Sequence, residues 1–340
     1  MIDEATRDVT GGSDLDRGRM TGVFEEIMTG ACSTGQIAAF LRALAAKGET
    51  VEEITAAAEV MRSHAVKIRA ASKAVLDTCG TGGDRKNTFN ISTTAAFVLA
   101  GCGVTIAKHG NRSVSSACGS ADILEALGVV ISLDKDSVEK CLDEVGIAFL
   151  YAPDFHPAMK FAAPARKEIA GRTIFNILGP LCNPAGATHQ LIGVYSRGIG
   201  PVLAEVCGKL GVKHCLCVHG EGVFDEVTTT GWTELNELNA GAVKTFKITP
   251  EEFGLTRAGF SDLSGGDPLF NAGILVSLLN GACGPKRDIV IFNSAAALYA
   301  ADKVGSIKEG MAVAERSIDS GNALRKLEQL REFTRLHKKR

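Results

Sequence analysis

The 340-residue sequence predicts an α/β protein, a small helical domain plus a larger α/β domain with a central, mostly parallel sheet. Three observations carry that prediction. Residues 20 to about 70 hold apolar positions at helical spacing and no strand-like run. From Val75 onward, short β-branched runs end in glycine loops and lead into alanine-rich stretches. The distance between successive runs leaves room for helical crossovers, which parallel neighbours require.

A chain of 340 residues exceeds what one core usually organises, so two domains are expected. Apolar residues make up 45% and charged residues 22%, ordinary globular usage, while 38 glycines against 9 prolines point to tight backbone approaches rather than disorder. A formal net charge of −2 provides no broad field for nucleic acid or an anionic membrane, so neither is an expected partner and any anion site must be local. No apolar run reaches the roughly 20 residues of a membrane span. The ten cysteines are scattered in apolar settings behind a polar opening, which predicts reduced thiols in a cytoplasmic protein. Cys215 and Cys217 share one face of a strand, but no second pair at zinc-like spacing accompanies them.

Taken in order, residues 1–19 are polar and aperiodic and are expected to be a flexible N-terminal extension. Ser33 with Gln36 reads as a capping box ahead of Ile37, Phe40, Leu41 and Leu44, and Thr50 with Glu53 repeats it ahead of Val51, Ile54, Ala58 and Met61. Residues 20–72 therefore form the helical domain, too small for a core of its own. The helical segment 134–170, with Val138, Cys141, Leu142 and Val145 at helical spacing, is expected to join it. The chain then crosses between domains more than once, and residues 73–133 and 171–340 make the α/β domain. Strand candidates are Val75–Thr78, Val104–Ala107, Ala148–Tyr151, Leu191–Tyr195 and Cys215–Val218. Ile289–Phe292 runs straight into Asn293–Ala301 and reads as one helix. Ligands belong at the carboxyl ends of such strands.

Four segments carry candidate chemistry. After the first strand comes CGTGGD (79–84), whose glycines Gly80, Gly82 and Gly83 let backbone amides approach phosphate oxygens; Asn90–Thr94 then opens an alanine-rich helix with a second anion seat at its amino end. A plain strand-to-helix turn is the alternative, but it does not explain Asp84, Asn90 and Ser92 crowded beside it. After the second strand, KHGNRSVSSACGS (108–120) offers Lys108 and Arg112 as cations and Asn111, Ser115 and Ser116 as neutral donors, with Gly119 and Ser120 beginning another helix. In residues 156–186, Arg166 lies ten positions beyond His156 on what should be one helix, where its fork suits a carboxylate; a surface ion pair is the alternative. Finally, HGEGVFDEVTTTG places Asp225 and Glu226 in a loop at the carboxyl edge of the sheet, hard ligands that suit Mg²⁺.

At these residues the chain closely resembles the anthranilate phosphoribosyltransferases, the enzymes of tryptophan biosynthesis that join anthranilate to phosphoribosyl diphosphate. GTGGD, TFNIST, KHGNRSVSS, GSADILEALG, HPAMK, RTIFNILGPLCNPA and DEVTTTG occur in that order between about Met20 and Leu330. The resemblance implies a nucleoside phosphorylase/phosphoribosyltransferase-like fold and a homodimer formed through the helical domain, with contact to anthranilate synthase as a further partner. Carried over by motif, Gly80, Gly83, Asp84, Thr88, Asn90, Ile91, Ser92 and Thr93 of the first loop would hold phosphoribosyl diphosphate. So would Lys108, His109, Gly110, Asn111, Arg112, Ser113, Val114, Ser115 and Ser116 of the second, together with Ser120. Anthranilate would meet Gly80, His109, Asn111, Arg166 and Pro180, while Ser92, Asp225 and Glu226 would hold Mg²⁺, two ions per subunit. Lys108, Asn111 and Arg166 carry the catalytic assignment.

The chain departs from the pattern at Ala117 and Cys118, where many relatives have Lys-Ser, and Arg85 with Lys86 is expected to restore part of the lost positive charge. Two other readings stay open on the residues alone. A pyrimidine nucleoside phosphorylase-like enzyme would use a similar anion loop for free phosphate, and a non-catalytic nucleic-acid-binding relative would keep the fold with a basic groove and a damaged metal pair.

Overall fold

The computed structural model describes residues 1–82, 86–113, 117–169 and 171–339. Residues 1–19 are not an extension. They contain α1 (Ile2–Thr10), whose Ile2, Ala5 and Val9 recur at i, i+3 and i+7 and are all buried. Behind it, the Leu15 amide donates to Oε1 of the fully buried Glu53 at 2.9 Å, which pins the segment to the domain. The three apolar positions of α1 are diluted by charged neighbours, so their stripe is inconspicuous in the sequence.

The layer continues with α2 (Arg17–Met28), α3 (Thr34–Lys47) and α4 (Val51–Ser63), and both expected capping boxes are formed at Ser33–Gln36 and Thr50–Glu53. After β1 (Val75–Gly80), α5 (Ile91–Gly101), β2 (Thr105–Gly110), α6 (Ser120–Ala126), α7 (Lys135–Glu144) and β3 (Ile147–Tyr151), the chain returns to the helical layer through α8 (Ala152–Phe155) and α9 (Met159–Ile169). Ala162 and Ala165 of α9 are buried in the same apolar cluster as α1 to α4. The remainder of segment 134–170 does not join that layer, because Val138, Cys141 and Leu142 of α7 are buried in the other cluster, with β3. Nor do His156 and Arg166 share a helix: His156 caps α8 with φ −123° and ψ 63°, and α9 begins three residues later.

The rest comprises α10 (Ile174–Leu181), β4 (His189–Gly193), α11 (Ile199–Lys209), β5 (His214–Gly220), β6 (Thr233–Asn239), β7 (Ala242–Ile248), α12 (Pro268–Leu279), α13 (Pro285–Ala300), α14 (Ile307–Asp319) and α15 (Asn322–Leu336). The seven strands lie in the order β3-β2-β1-β4-β5-β6-β7. The first five are parallel, while β6 and β7 add an antiparallel hairpin that the sequence reading missed. Its two-residue turn has Ala240 at φ 49° and Gly241 at φ 80°, the primed-turn geometry that matches strand twist. The strand TELNELN looks polar, yet six of its seven residues are buried.

One face of the sheet packs on α5, α13, α14 and α15. The other merges with the helical layer, where Ile192, Val194, Cys215 and Cys217 share one cluster with α1 to α4 and α11. The helical domain therefore completes its core against the larger domain, and Arg62 stitches the two by donating to the Leu181 carbonyl at 2.6 Å and the Leu210 carbonyl at 2.9 Å.

Strands β2 and β3 run outward on one side of β1 before the chain crosses to β4 on the other, so the order reverses between β1 and β4. Open α/β sheets bind ligands outside the carboxyl ends of their strands at such a reversal.

Candidate active site

At the reversal, Gly80 of β1 pairs with Gly193 of β4, and both glycines are needed for close approach. A Cβ on Gly193 would stand 1.7 Å from the Asp225 carbonyl oxygen, and one on Gly80 would stand 3.1 Å from Asp225 Oδ2. The absence of two methyl groups thus lets the 221–226 loop fold over the sheet edge. From behind, the Val227 amide donates to Asn293 Oδ1 at 2.9 Å and the Asn293 amide returns a bond to the Val227 carbonyl at 2.8 Å. Asp225 and Glu226 are half-buried there and engaged in interactions of their own. Among the described residues no three histidine, cysteine, aspartate or glutamate side chains converge on one point. Two hard carboxylates suit Mg²⁺, which keeps several waters and takes remaining oxygens from a phosphate.

Lys108, near the end of β2, is 4% exposed. Its ammonium donates to the Thr78 carbonyl at 2.5 Å and lies 3.4 Å from Thr78 Oγ1 and 3.5 Å from Ser92 Oγ. Burial pushes its pKa down, opposed by the negative charges of Asp77 and Glu226. One cation therefore joins β1, β2 and the first turn of α5. In that turn Ile91 and Thr93 are buried; the Ile91 amide donates to the Phe89 carbonyl at 2.8 Å, while the amides of Ser92 and Thr93 lack intrahelical acceptors, the feature by which helix amino ends can receive anions. Asn90 joins the two loops by donating to the Cys118 carbonyl at 3.1 Å, while its Oδ1 accepts from Asn271 of α12 at 3.0 Å. Thr88 is fixed by a bridge to Ser264. Gly83, Asp84 and Arg85 lie outside the described residues, as do Val114, Ser115 and Ser116; Lys86 stands 5.0 Å over the Phe260 ring.

The second loop is drawn tight. A Cβ on Gly110 would meet Ser120 Oγ at 2.2 Å, and the Asn111 carbonyl accepts from Ser120 Oγ at 3.3 Å. Asp122 accepts the amides of Ser113 at 3.0 Å and Gly119 at 2.8 Å. Arg112 does not offer its charge to the seat in this structure: it forks onto Glu125 at 2.5 and 2.8 Å and reaches Asp122 at 3.2 Å. Asn111 is exposed at the loop's start, with its Oδ1 taken by the Arg112 amide at 2.7 Å.

A second compartment lies beside α10. His109 Nδ1 donates to the Gly179 carbonyl at 3.2 Å, next to buried Pro180, and the His109 ring sits 5.0 Å from that of His156. In the sequence, His156 placed a helix and opened the HPAMK motif but was assigned no role. Both histidines have a buried Nε2 without a hydrogen-bond partner among the described residues. Burial, with His156 adding to it, lowers the His109 pKa to about 3, and burial lowers that of His156 to about 4, so both rings are neutral at pH 7 and each presents an acceptor. Arg166 on α9 is half-buried, its guanidinium 5.3 Å over the Phe175 ring, and it makes no ion pair among the described residues. Desolvation lowers its pKa. Phe175 and Pro180 lie five residues apart on α10, about 8 Å along the axis, so an unpaired cation and two neutral acceptors flank one helix.

These histidines set an acid limit. Their folded pKa values fall below the ordinary 6.5, so the unfolded chain binds protons first and stability drops as pH falls from about 6.5 toward 4. Asp77, raised to about 6 by burial, acts oppositely across pH 6 to 4, but it is one group against two. The net expectation is a loss of about 1.4 kcal/mol per pH unit for each excess proton the unfolded chain takes up. Thermal melts from pH 7 to 4.5 check this: the fall in Tm should be steeper in the native protein than in a His109→Asn, His156→Gln double variant, and equal slopes would refute it.

A helical bundle completing its core on an α/β domain, with a buried ammonium and a helix amino end at the sheet reversal, is the arrangement to be classed, and the family matches class it as a glycosyl transferase. The sequence matches the glycosyl transferase family, helical bundle domain, over residues 3–65 and the glycosyl transferase family, a/b domain, over residues 72–324. Within that class it is 52% identical to the anthranilate phosphoribosyltransferase of Symbiobacterium thermophilum over 328 residues, 96% of each chain, and 52% identical to that of Methanocorpusculum labreanum over 331 residues, 97% of each. The crystal structure of anthranilate phosphoribosyltransferase from Thermus thermophilus superposes with a TM-score of 0.92 at 42% identity, covering 97% of this chain and 99% of that one. The Saccharomyces cerevisiae enzyme in complex with PRPP and Mg gives 0.89 at 29% identity, covering 98% of each. The chain belongs to the anthranilate phosphoribosyltransferase family.

Proposed function

We propose that the protein transfers the phosphoribosyl group from phosphoribosyl diphosphate to the amine of anthranilate, releasing diphosphate, in tryptophan biosynthesis. The observation that carries this reading is the meeting, at the β1/β4 reversal, of a buried ammonium, a helix amino terminus and an acidic loop. Loss of diphosphate from C1 of the ribose builds negative charge on the leaving group, so catalysis consists chiefly of meeting that charge with fixed donors. Lys108 and the amides of the α5 first turn do so from within the protein, without reorganising when the bond breaks. Asp225 and Glu226, with the Ser92 hydroxyl, would hold Mg²⁺, two ions per subunit, which when bound supplies further positive charge to the diphosphate.

Arg166 pairs with the anthranilate carboxylate, which anchors the ring, and Asn111 orients it. The neutral His109 and His156 rings and Pro180 line the approach. Anthranilate's amine is uncharged at pH 7 and attacks without a strong base, so orientation toward C1 supplies much of the remaining acceleration. We further infer a cytoplasmic homodimer joined through the helical domain, with anthranilate synthase as a partner.

Mixing the protein with both substrates and Mg²⁺ is expected to consume anthranilate fluorescence, with no loss when either phosphoribosyl diphosphate or Mg²⁺ is omitted; an unchanged signal in the complete mixture refutes the reading. Arg166→Ala should raise KM for anthranilate about 10- to 100-fold, the worth of a charged hydrogen bond, with little change for phosphoribosyl diphosphate. Equal effects on both constants would reject the Arg166 assignment.

A further inference from the structure

Residues 263–266, just ahead of α12, run beside the first loop as a strap. The Phe89 amide donates to the Leu263 carbonyl at 3.2 Å, and the Gly265 amide donates to the Asn87 carbonyl at 2.9 Å. The approach is close, since a Cβ on Gly265 would stand 2.6 Å from the Phe89 amide nitrogen. Asn271, near the start of α12 and 1% exposed, carries the strap's hold farther, and the mechanism above does not use it. Its Oδ1 accepts the Gly266 amide at 2.8 Å, its Nδ2 donates to Asn90 Oδ1 at 3.0 Å, and Asn90 Nδ2 donates to the Cys118 carbonyl at 3.1 Å. The direction of this chain is fixed at both ends, because a backbone N–H only donates and a carbonyl only accepts. Turning either carboxamide over would set like groups against each other at both of its contacts. The chain ends on a backbone carbonyl, so it holds although Cys118 departs from the usual residue at that position.

We propose that Asn271 is a positioning residue for the phosphoribosyl diphosphate site: it sets the Asn90 carboxamide, and through it the spacing of the two anion loops, before the substrate arrives. The proposal rests on reading those loops as the diphosphate seats. A carboxamide offers two amide hydrogens and two oxygen lone pairs. The chain takes one of each from Asn90, so one N–H and one lone pair are left for the substrate with their direction already set. Two loops that receive one ligand gain from being fixed beforehand, because ordering them on binding would cost affinity. Asn271 meets the first loop through the Asn90 oxygen, so its effect on the ligand should vanish when the Asn90 side chain is absent.

Titration calorimetry with inorganic pyrophosphate and Mg²⁺, read as a double-mutant cycle, tests this. Alanine favours the helical conformation, so Asn271→Ala should leave α12 in place. It should weaken pyrophosphate binding about 10-fold, the scale of a buried hydrogen-bonding group left without its partner. Asn90→Ala should weaken binding at least as much, and adding Asn271→Ala to it should cost less than about twofold more. Native affinity in Asn271→Ala overturns the proposal. So does a further loss of about 10-fold in the double variant, because a merely structural contribution adds to that of Asn90. If Asn271→Ala has no cooperative melt, NMR on the native, ligand-free protein decides: one side-chain amide proton of the half-buried Asn90 should exchange with solvent at least about 10-fold more slowly than those of the exposed Asn111, and equal rates overturn the proposal. Native protein that binds no pyrophosphate fails differently, since it removes the functional reading itself.

Discussion

Replacing Asp225 and Glu226 together with Asn and Gln should leave a folded protein whose Mg²⁺-dependent turnover is lower by about 10³-fold or more, because the fixed charge that holds the metal against the leaving group is gone. The side chains keep their size, and the loop keeps its anchors, the paired bonds between Val227 and Asn293 and the Gly220–Phe224 bridge. A near-native melting temperature beside lost activity separates the chemistry from the fold. Near-normal turnover in the double variant would remove both residues as metal ligands.

The second large effect comes from a methyl group. Gly193→Ala should lower kcat/KM by about 10²-fold, the scale reached when a catalytic loop is displaced by an ångström. The added carbon would stand 1.7 Å from a backbone oxygen of Asp225, and backbone cannot swing aside as a side-chain tip can. The loop must lift from the sheet edge, carrying both carboxylates with it. Gly198→Ala is the control, since a Cβ there meets nothing within 4 Å and φ is −64°. Native kinetics in both variants would show that the loop's seating on Gly193 is unimportant.

Much of this arrangement was legible because single residues announced it. Ser33–Gln36 and Thr50–Glu53 marked helix starts that the structure reproduces, while β1 and β2 run two and three residues past their expected ends, to Gly80 and Gly110, so that Lys108 stands on a strand and not in a loop. Ile289–Phe292 is helical within α13. What escaped was long-range. The segment after α1 is held at Leu15 by Glu53, far along the chain, and β6 buries Glu234, Asn236 and Glu237 because Arg197, Cys217 and His214 wait on neighbouring elements. Arg112 looked like a phosphate ligand, but α6 brings Glu125 and Asp122 within reach of it. Asp77 and Gly193 left weak signals, an acid inside an apolar strand and a glycine inside another, which mark a buried partner and a close approach. His156 left none, since its pairing with His109 exists only after the sheet and α10 are assembled.

The central claim is that diphosphate is received at the β1/β4 reversal by Lys108 and the α5 first turn, with metal on the acidic loop. A crystal soaked with phosphoribosyl diphosphate and Mn²⁺ tests it most directly, because the metal is located by its anomalous signal. The account predicts diphosphate oxygens within hydrogen-bond reach of Lys108 Nζ and of the Ser92 and Thr93 amides, and a metal peak coordinated by Asp225 or Glu226. A fully occupied ligand elsewhere on the protein, with no metal peak at those carboxylates, would contradict it.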